Sequence, residues 1–177
     1  MNVFIIGSGT FGTAIANELA RNKKNKVVIF SRSKEKKDEI NLFHTNKKYF
    51  PDKILNDSLV STNEYSDVQN ADIIFLALPS STIIENIKYF SNYITSQQIV
   101  VNLSKGILSN GQTIIEYLTK ELKSNNLISL KGPSFAVEIM NRAETVLTLG
   151  YSKEKQKEII YEIFSNTCIS LESTKDI

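Results

Sequence analysis

The chain is poor in the residues that most often announce a specific chemistry. Its 177 residues contain one cysteine, one histidine and no tryptophan. A single cysteine, Cys168, excludes an internal disulfide framework and fits a reducing compartment, so a cytoplasmic location is expected. Cys168 falls in the run Thr167–Leu171, where a small buried hydrophobe is a commoner identity than a nucleophile. The single histidine, His44, opens a turn-rich stretch and reads as a solvated side chain rather than a general base. No apolar run approaches the ~18 residues of a membrane span, and Met1-Asn2 leads into a strand pattern without the flank or cleavage site of a signal peptide. An excess of one charge is missing too. With 21 basic and 19 acidic residues the net charge is +2, which implies no nucleic-acid partner. The basic cluster Lys23-Lys24-Asn25-Lys26 carries no interleaved aromatics and reads as a solvated loop. No metal is expected, and there is no internal repeat, low-complexity tract or flexible linker.

What is present begins at the first residues. Val3–Ile6 is a short apolar run that predicts a buried strand, and it feeds into Gly7-x-Gly9-x-x-Gly12 and then a helical pattern over Thr13–Ala20. In this context Gly7 permits a tight turn, Gly9 lets the backbone approach a pyrophosphate, and Gly12 lets the helix pack on the strand. The free N–H groups and the positive end of the helix dipole face the phosphates. The competing reading is a glycine turn required by packing alone.

Strands and helices alternate along the rest of the chain. Strands are predicted at 25–30, 59–62, 71–78, 99–103, 128–131, 145–150 and 167–171. Helices are predicted at 34–43, from Ser80 (as cap) to Phe90, at 111–123, and from Phe135 and Lys153. The segment 44–58 is irregular. Repeated βα units predict one α/β domain over residues 1–177, a Rossmann-type, doubly wound, mainly parallel sheet with helices on both faces. A chain of this length can bury about 70% of its unfolded surface.

Ligands of such sheets bind outside the carboxyl ends of the strands. The second strand ends Phe30-Ser31-Arg32, with an arginine and no carboxylate where a ribose 2′-OH would be held. The charge argument favours NADP and leaves NAD open, because arginine also stacks on adenine. The fourth strand ends at Leu78-Pro79, where proline stops the strand beside the space for a ribose or nicotinamide. The fifth ends Ser104-Lys105-Gly106, and Lys105 is a candidate for holding a phosphate or substrate oxygen. The sixth ends Lys131-Gly132-Pro133-Ser134, whose backbone donors at a helix start suit an anion.

These pieces resemble, in order, the N-terminal half of NAD(P)-dependent glycerol-3-phosphate dehydrogenases. They are Gly7–Ala14, Phe30-Ser31-Arg32, Asn46–Pro51, Leu76–Ser80, Ser104–Ile107 and Gly132–Ala136. The pair Ser-Lys-Gly-Ile and Gly-Pro-Ser-Phe-Ala is the most specific part. The resemblance implies cofactor contacts from Thr10, Phe11, Arg32, Tyr49 and Ala136, with Lys105 touching cofactor and substrate. It implies that Gly132 and Ser134 bind glycerol 3-phosphate, a small-molecule phosphate. Tryptophan is usual in the family at the position of Phe11, which keeps an apolar wall but loses the indole donor. The family's helical C-terminal domain, with the lysine that acts on the substrate's C2 oxygen and an arginine and asparagine for its phosphate, is expected beyond Ile177, so no catalytic residue is assigned within the chain. Glu138 reads as a solvated or capping charge. The resemblance implies interconversion of dihydroxyacetone phosphate and sn-glycerol 3-phosphate, with little activity from these residues alone. The alternatives are a non-catalytic dinucleotide-binding or sensing module, or another reductase of the β-hydroxyacid-dehydrogenase-like group. An uncovered apolar surface, with self-association or a homodimer, is a further expectation.

Overall fold

A computed structural model of the chain describes residues 1–122, 124 and 126–176. Lys123, at the end of a predicted helix, and Ile177 lie outside them. The strands are β1 (Asn2–Ile6), β2 (Lys26–Phe30), β3 (Val60–Thr62), β4 (Ile73–Leu76), β5 (Ile99–Asn102), β6 (Leu127–Lys131), β7 (Thr145–Gly150) and β8 (Ile169–Thr174). The helices are α1 (Thr10–Leu19), α2 (Lys34–Phe43), α3 (Ser80–Phe90), α4 (Ile114–Leu122), α5 (Ala136–Met140) and α6 (Glu154–Phe164). A 3₁₀ turn over Tyr65–Asn70, not expected from the sequence, leads into β4.

All eight strands form one sheet in the order β3-β2-β1-β4-β5-β6-β7-β8. The first six pair in parallel in the doubly wound order, and β7 then runs antiparallel to β6 before β8 returns parallel to β7. The continuous apolar runs of β4 and β5 are buried along their whole length, as strands covered on both faces must be. Val3, Ile5, Ile29 and Phe75 pack with α1, α5 and α6 on one face. Phe4, Ile6, Ile74 and Leu76 pack with α3 and α4 on the other.

Several boundaries differ from the sequence reading, with β4 shorter than 71–78 and β8 shifted from 167–171 to Ile169–Thr174, and three have plain local reasons. Helix α1 starts at Thr10 because the Gly9 carbonyl already accepts from the Thr13 N–H at 2.9 Å. Ser80 is the first residue of α3 and not its cap: Pro79 occupies the cap position without a side-chain hydrogen bond. Helix α4 starts at Ile114 because Thr113 and Glu116 form a reciprocal capping box, while Gly111 turns at φ +81° outside the helix.

Candidate functional site

The carboxyl ends of the central strands open onto one groove with two halves. Both halves are bordered by Gly9, Ala77, Leu78 and Pro79. The first, about 400 Å³, also meets Gly7, Arg32, Lys36, Lys48 and Tyr49. The second, about 370 Å³, meets Thr10, Phe11, Lys105, Lys131, Gly132 and Ser134. Ten of the predicted site residues thus border the groove.

The glycine turn between the halves separates packing from openness. Gly7 sits at φ +117°, and a Cβ on it would lie 2.5 Å from the Ala77 carbonyl oxygen. A Cβ on Gly12 would lie 2.0 Å from the Gly7 carbonyl oxygen. Gly7 is demanded by its left-handed backbone and the closeness of the segment after β4, and Gly12 by the close approach of α1 to the turn. Gly9 is different: a Cβ there would meet no atom of the described residues within 4 Å. The space it leaves adjoins the first turn of α1, whose amides have no intrahelical acceptor. This opening fits a pyrophosphate and has no packing explanation.

The irregular segment after α2 is docked onto this turn. Buried Asn46 donates to the Ser8 carbonyl at 3.2 Å and to Thr13 Oγ1 at 2.9 Å. Tyr49 follows three residues later, half-buried, with Lys36 Nζ 4.5 Å and Lys48 Nζ 5.7 Å from its ring centroid. Burial first, and the Lys48 charge second, lower the pKa of the Lys36 ammonium. Arg32 is exposed at the same end of the groove. Among the described residues none of these three cations forms an ion pair with a carboxylate.

In the second half, Lys105 is exposed and Lys131 half-buried. The Lys131 ammonium donates to the Ser104 carbonyl, and Ser104 Oγ donates to the Leu78 carbonyl. Burial, and then the Lys105 charge, push the Lys131 pKa down to about 8. Ser134 is 9% exposed, and its Oγ has no hydrogen-bond partner among the described residues. Gly132 has a packing reason of its own, because a Cβ there would lie 2.7 Å from Leu147 Cδ2 and 2.9 Å from the Val146 carbonyl oxygen.

Other expected residues are placed elsewhere. Gly12 and Ala136 are buried and do not border either half. His44 is not a solvated side chain: it ends α2 in the left-handed region at φ 50°, half-buried, with its buried Nδ1 unpartnered among the described residues. Cys168 is half-buried just ahead of β8, and burial pushes its thiol pKa up, which disfavours the thiolate of a nucleophile. The Glu138 carboxylate accepts from the Phe135 N–H at 3.3 Å, a capping contact. Among the described residues no group of His, Cys, Asp and Glu is placed to hold a metal, and no helix is long and apolar enough to cross a membrane.

The family model for the N-terminus of NAD-dependent glycerol-3-phosphate dehydrogenase matches residues 2–172. The chain belongs to this family. The glycerol-3-phosphate dehydrogenase (NAD(P)+) of Orientia tsutsugamushi is 34% identical over 181 residues, covering 100% of this chain and 54% of the relative. That of Mesoplasma florum is 31% identical over 183 residues, covering 99% and 54%. The chain therefore spans about half the length of the curated relatives it matches. Among solved structures, glycerol-3-phosphate dehydrogenase from Saccharomyces cerevisiae superposes with a TM-score of 0.88 at 24% identity, covering 98% of this chain and 56% of its own. At that identity the likeness speaks for the fold.

For a member of the glycerol-3-phosphate dehydrogenase family, the groove holds residues that sequence reasoning passed over. Lys36 and Lys48 had no signal, since solvated lysines are the rule on a helix and in a loop. Asn46 stood inside a matching segment but without a role. Lys131 had the same signal as Lys105, a cation at the end of a central strand, and went unweighed beside the glycine that follows it.

Proposed function

We propose that residues 1–177 form the dinucleotide-binding unit of an NAD(P)-dependent glycerol-3-phosphate dehydrogenase. The single observation that carries this reading is the open cradle at Gly9, joined on one side to a basic aromatic end and on the other to a lysine-bearing pocket. In the first half, Tyr49 and Arg32 offer flat faces for the adenosine, and Arg32, Lys36 and Lys48 offer charge for a ribose 2′-phosphate. This supports NADP as the preferred cofactor. The α1 amides would hold the pyrophosphate, and Ala77–Pro79 with Phe11 would flank the nicotinamide. A reduced nicotinamide held there would supply a hydride from its C4 to the carbonyl carbon of dihydroxyacetone phosphate, with the balancing proton drawn from solvent. Lys105 and the Ser134 hydroxyl orient the phosphorylated three-carbon substrate, and the apolar wall of Phe11, Leu103 and Leu130 limits water. The non-catalytic and other-reductase readings are not favoured beside the family match.

The lone cysteine supports a cytoplasmic location. Exposed Ile107, Phe135 and Val137, on the segments after β5 and β6, support self-association. The chain spans about half the length of its curated relatives, so little turnover is expected from a polypeptide of these residues. Titration of the chain with NADPH and NADH, followed by nicotinamide fluorescence, tests the reading. Saturable binding with slow oxidation on adding dihydroxyacetone phosphate is expected; absence of binding to either cofactor would defeat it.

A further inference from the structure

The two walls of the groove's first half are chemically opposite. Arg32, Lys36 and Lys48 come from the end of β2, from α2 and from the segment after it, and α2 packs on one face of the sheet through Ile40. Thr82, Glu85 and Asn86 come from α3, which packs on the other face through Ile83 and Ile87. Glu85 is the one carboxylate among the described residues that border this half. Among the described residues it forms no ion pair, either with the three cations or with Lys88 one turn further along α3. Its neighbours commit donors to the helix itself. Thr82 Oγ1 donates to the Pro79 carbonyl at 3.1 Å, and Asn86 Nδ2 to the Thr82 carbonyl at 2.8 Å. A carbonyl only accepts, so the Asn86 atom bonded to it must be the amide nitrogen, and Oδ1 is left as an acceptor. The α3 wall therefore offers oxygen lone pairs where the α2 wall offers positive charge.

We infer that Glu85, with Asn86 beside it, selects the base of the dinucleotide by accepting from an exocyclic amino group, so that adenine is preferred to a 6-oxo purine. This rests on the dinucleotide reading above and adds a selectivity to it. The adenosine end presents ribose or phosphate oxygens as acceptors and, at C6 of adenine, an amino group with two N–H donors. Cations suit the first and acceptors the second, so the two walls fix which way the nucleoside lies. In hypoxanthine an oxygen replaces that amino group. Against a carboxylate and an amide oxygen it finds no donor and is repelled, which rejects the analogue. The competing role for Glu85 is a carboxylate that only offsets the three cations. It would then weaken the hold on a 2′-phosphate and leave the base unread.

Fluorescence titration of the 177-residue chain with NADPH, NADH and their hypoxanthine counterparts separates the two roles. The wild type should bind each adenine cofactor about tenfold more tightly than its hypoxanthine counterpart, the lower end for a hydrogen bond to a charged group. Glu85 is exposed, so its replacement should leave the fold intact. In Glu85→Gln, whose amide can turn its N–H groups towards an oxygen, and in Glu85→Ala the ratio should fall towards one. Equal binding of adenine and hypoxanthine cofactors by the wild type overturns the inference and leaves the dehydrogenase reading standing. A base ratio that survives in both variants, with NADPH gaining on NADH, overturns it in favour of the offsetting role. A ratio that survives with no such gain overturns it as well. Binding of none of the four cofactors by the wild type overturns the dinucleotide reading, and the selectivity with it.

Discussion

Gly9 and Gly12 differ by what surrounds them, and the difference can be measured. Gly9 is in an extended conformation, φ −77° and ψ −172°, that alanine adopts readily, and its Cβ position is open. Gly9→Ala is expected to change unfolding free energy by less than about 0.5 kcal/mol, as an unstrained surface change does, while weakening NADPH binding about tenfold or more. Gly12→Ala forces a methyl onto the Gly7 carbonyl and should cost about 1–3 kcal/mol in denaturant titrations by overpacking. Equal stability losses in the two variants would remove the distinction. Lys131 makes a second case at this scale. Its folded pKa of about 8 lies below the ordinary 10.5, so the unfolded chain binds more protons between those values. Stability contributed by this group therefore rises with pH across that window. In Lys131→Gln the rise is expected to flatten, which chemical denaturation at a series of pH values would reveal. The glycine spacing was legible in the sequence because it is local. The environment of Lys131 was not, since it depends on the Ser104 carbonyl delivered by another strand.

Two elements hold the site in shape. Helix α1 is anchored by buried Glu18, 1% exposed, which accepts from the Cys168 N–H at 3.0 Å and pairs with Arg21 at 3.1 Å. The segment after α2 is anchored to α1 in turn: Asn17 Oδ1 accepts from the Asn56 N–H at 2.6 Å, and Ser58 Oγ donates to the Ala20 carbonyl at 3.0 Å. These contacts carry Lys48 and Tyr49 to the groove beside Lys36 of α2. If the three cations there recognise a 2′-phosphate, the double change Lys36→Ala with Lys48→Ala should weaken NADPH binding about tenfold and leave NADH binding nearly unchanged. Equal losses for the two cofactors would refute a 2′-phosphate role. Arg32 was readable from its place after β2. Its two partners come from a helix and an irregular loop, and no sequence period links them.

At the scale of the molecule, parallel pairing through β6 places every strand end named from the sequence on one side of the sheet. Phe135 at 71% exposure and Ile107 at 64% stand on the segments that leave that side. Sedimentation velocity at increasing concentration should show association, reduced in Phe135→Ser; a monomer at all concentrations would exclude it. Phe135 precedes α5 and borders neither half of the groove, so cofactor binding should survive the change.

By itself the sequence determined the strands, the glycine turn, and the cation or small residue at each strand end. Those features are encoded in contiguous residues through apolar runs and backbone sterics. Only the tertiary structure decided that Gly9 is open while Gly7, Gly12 and Gly132 are filled around. It likewise decided that Lys131 and Lys105 border one cavity with no carboxylate among the described residues that line it. Burial and charge compensation are set by atoms from distant parts of the chain, and they exist only once the sheet has brought those parts together.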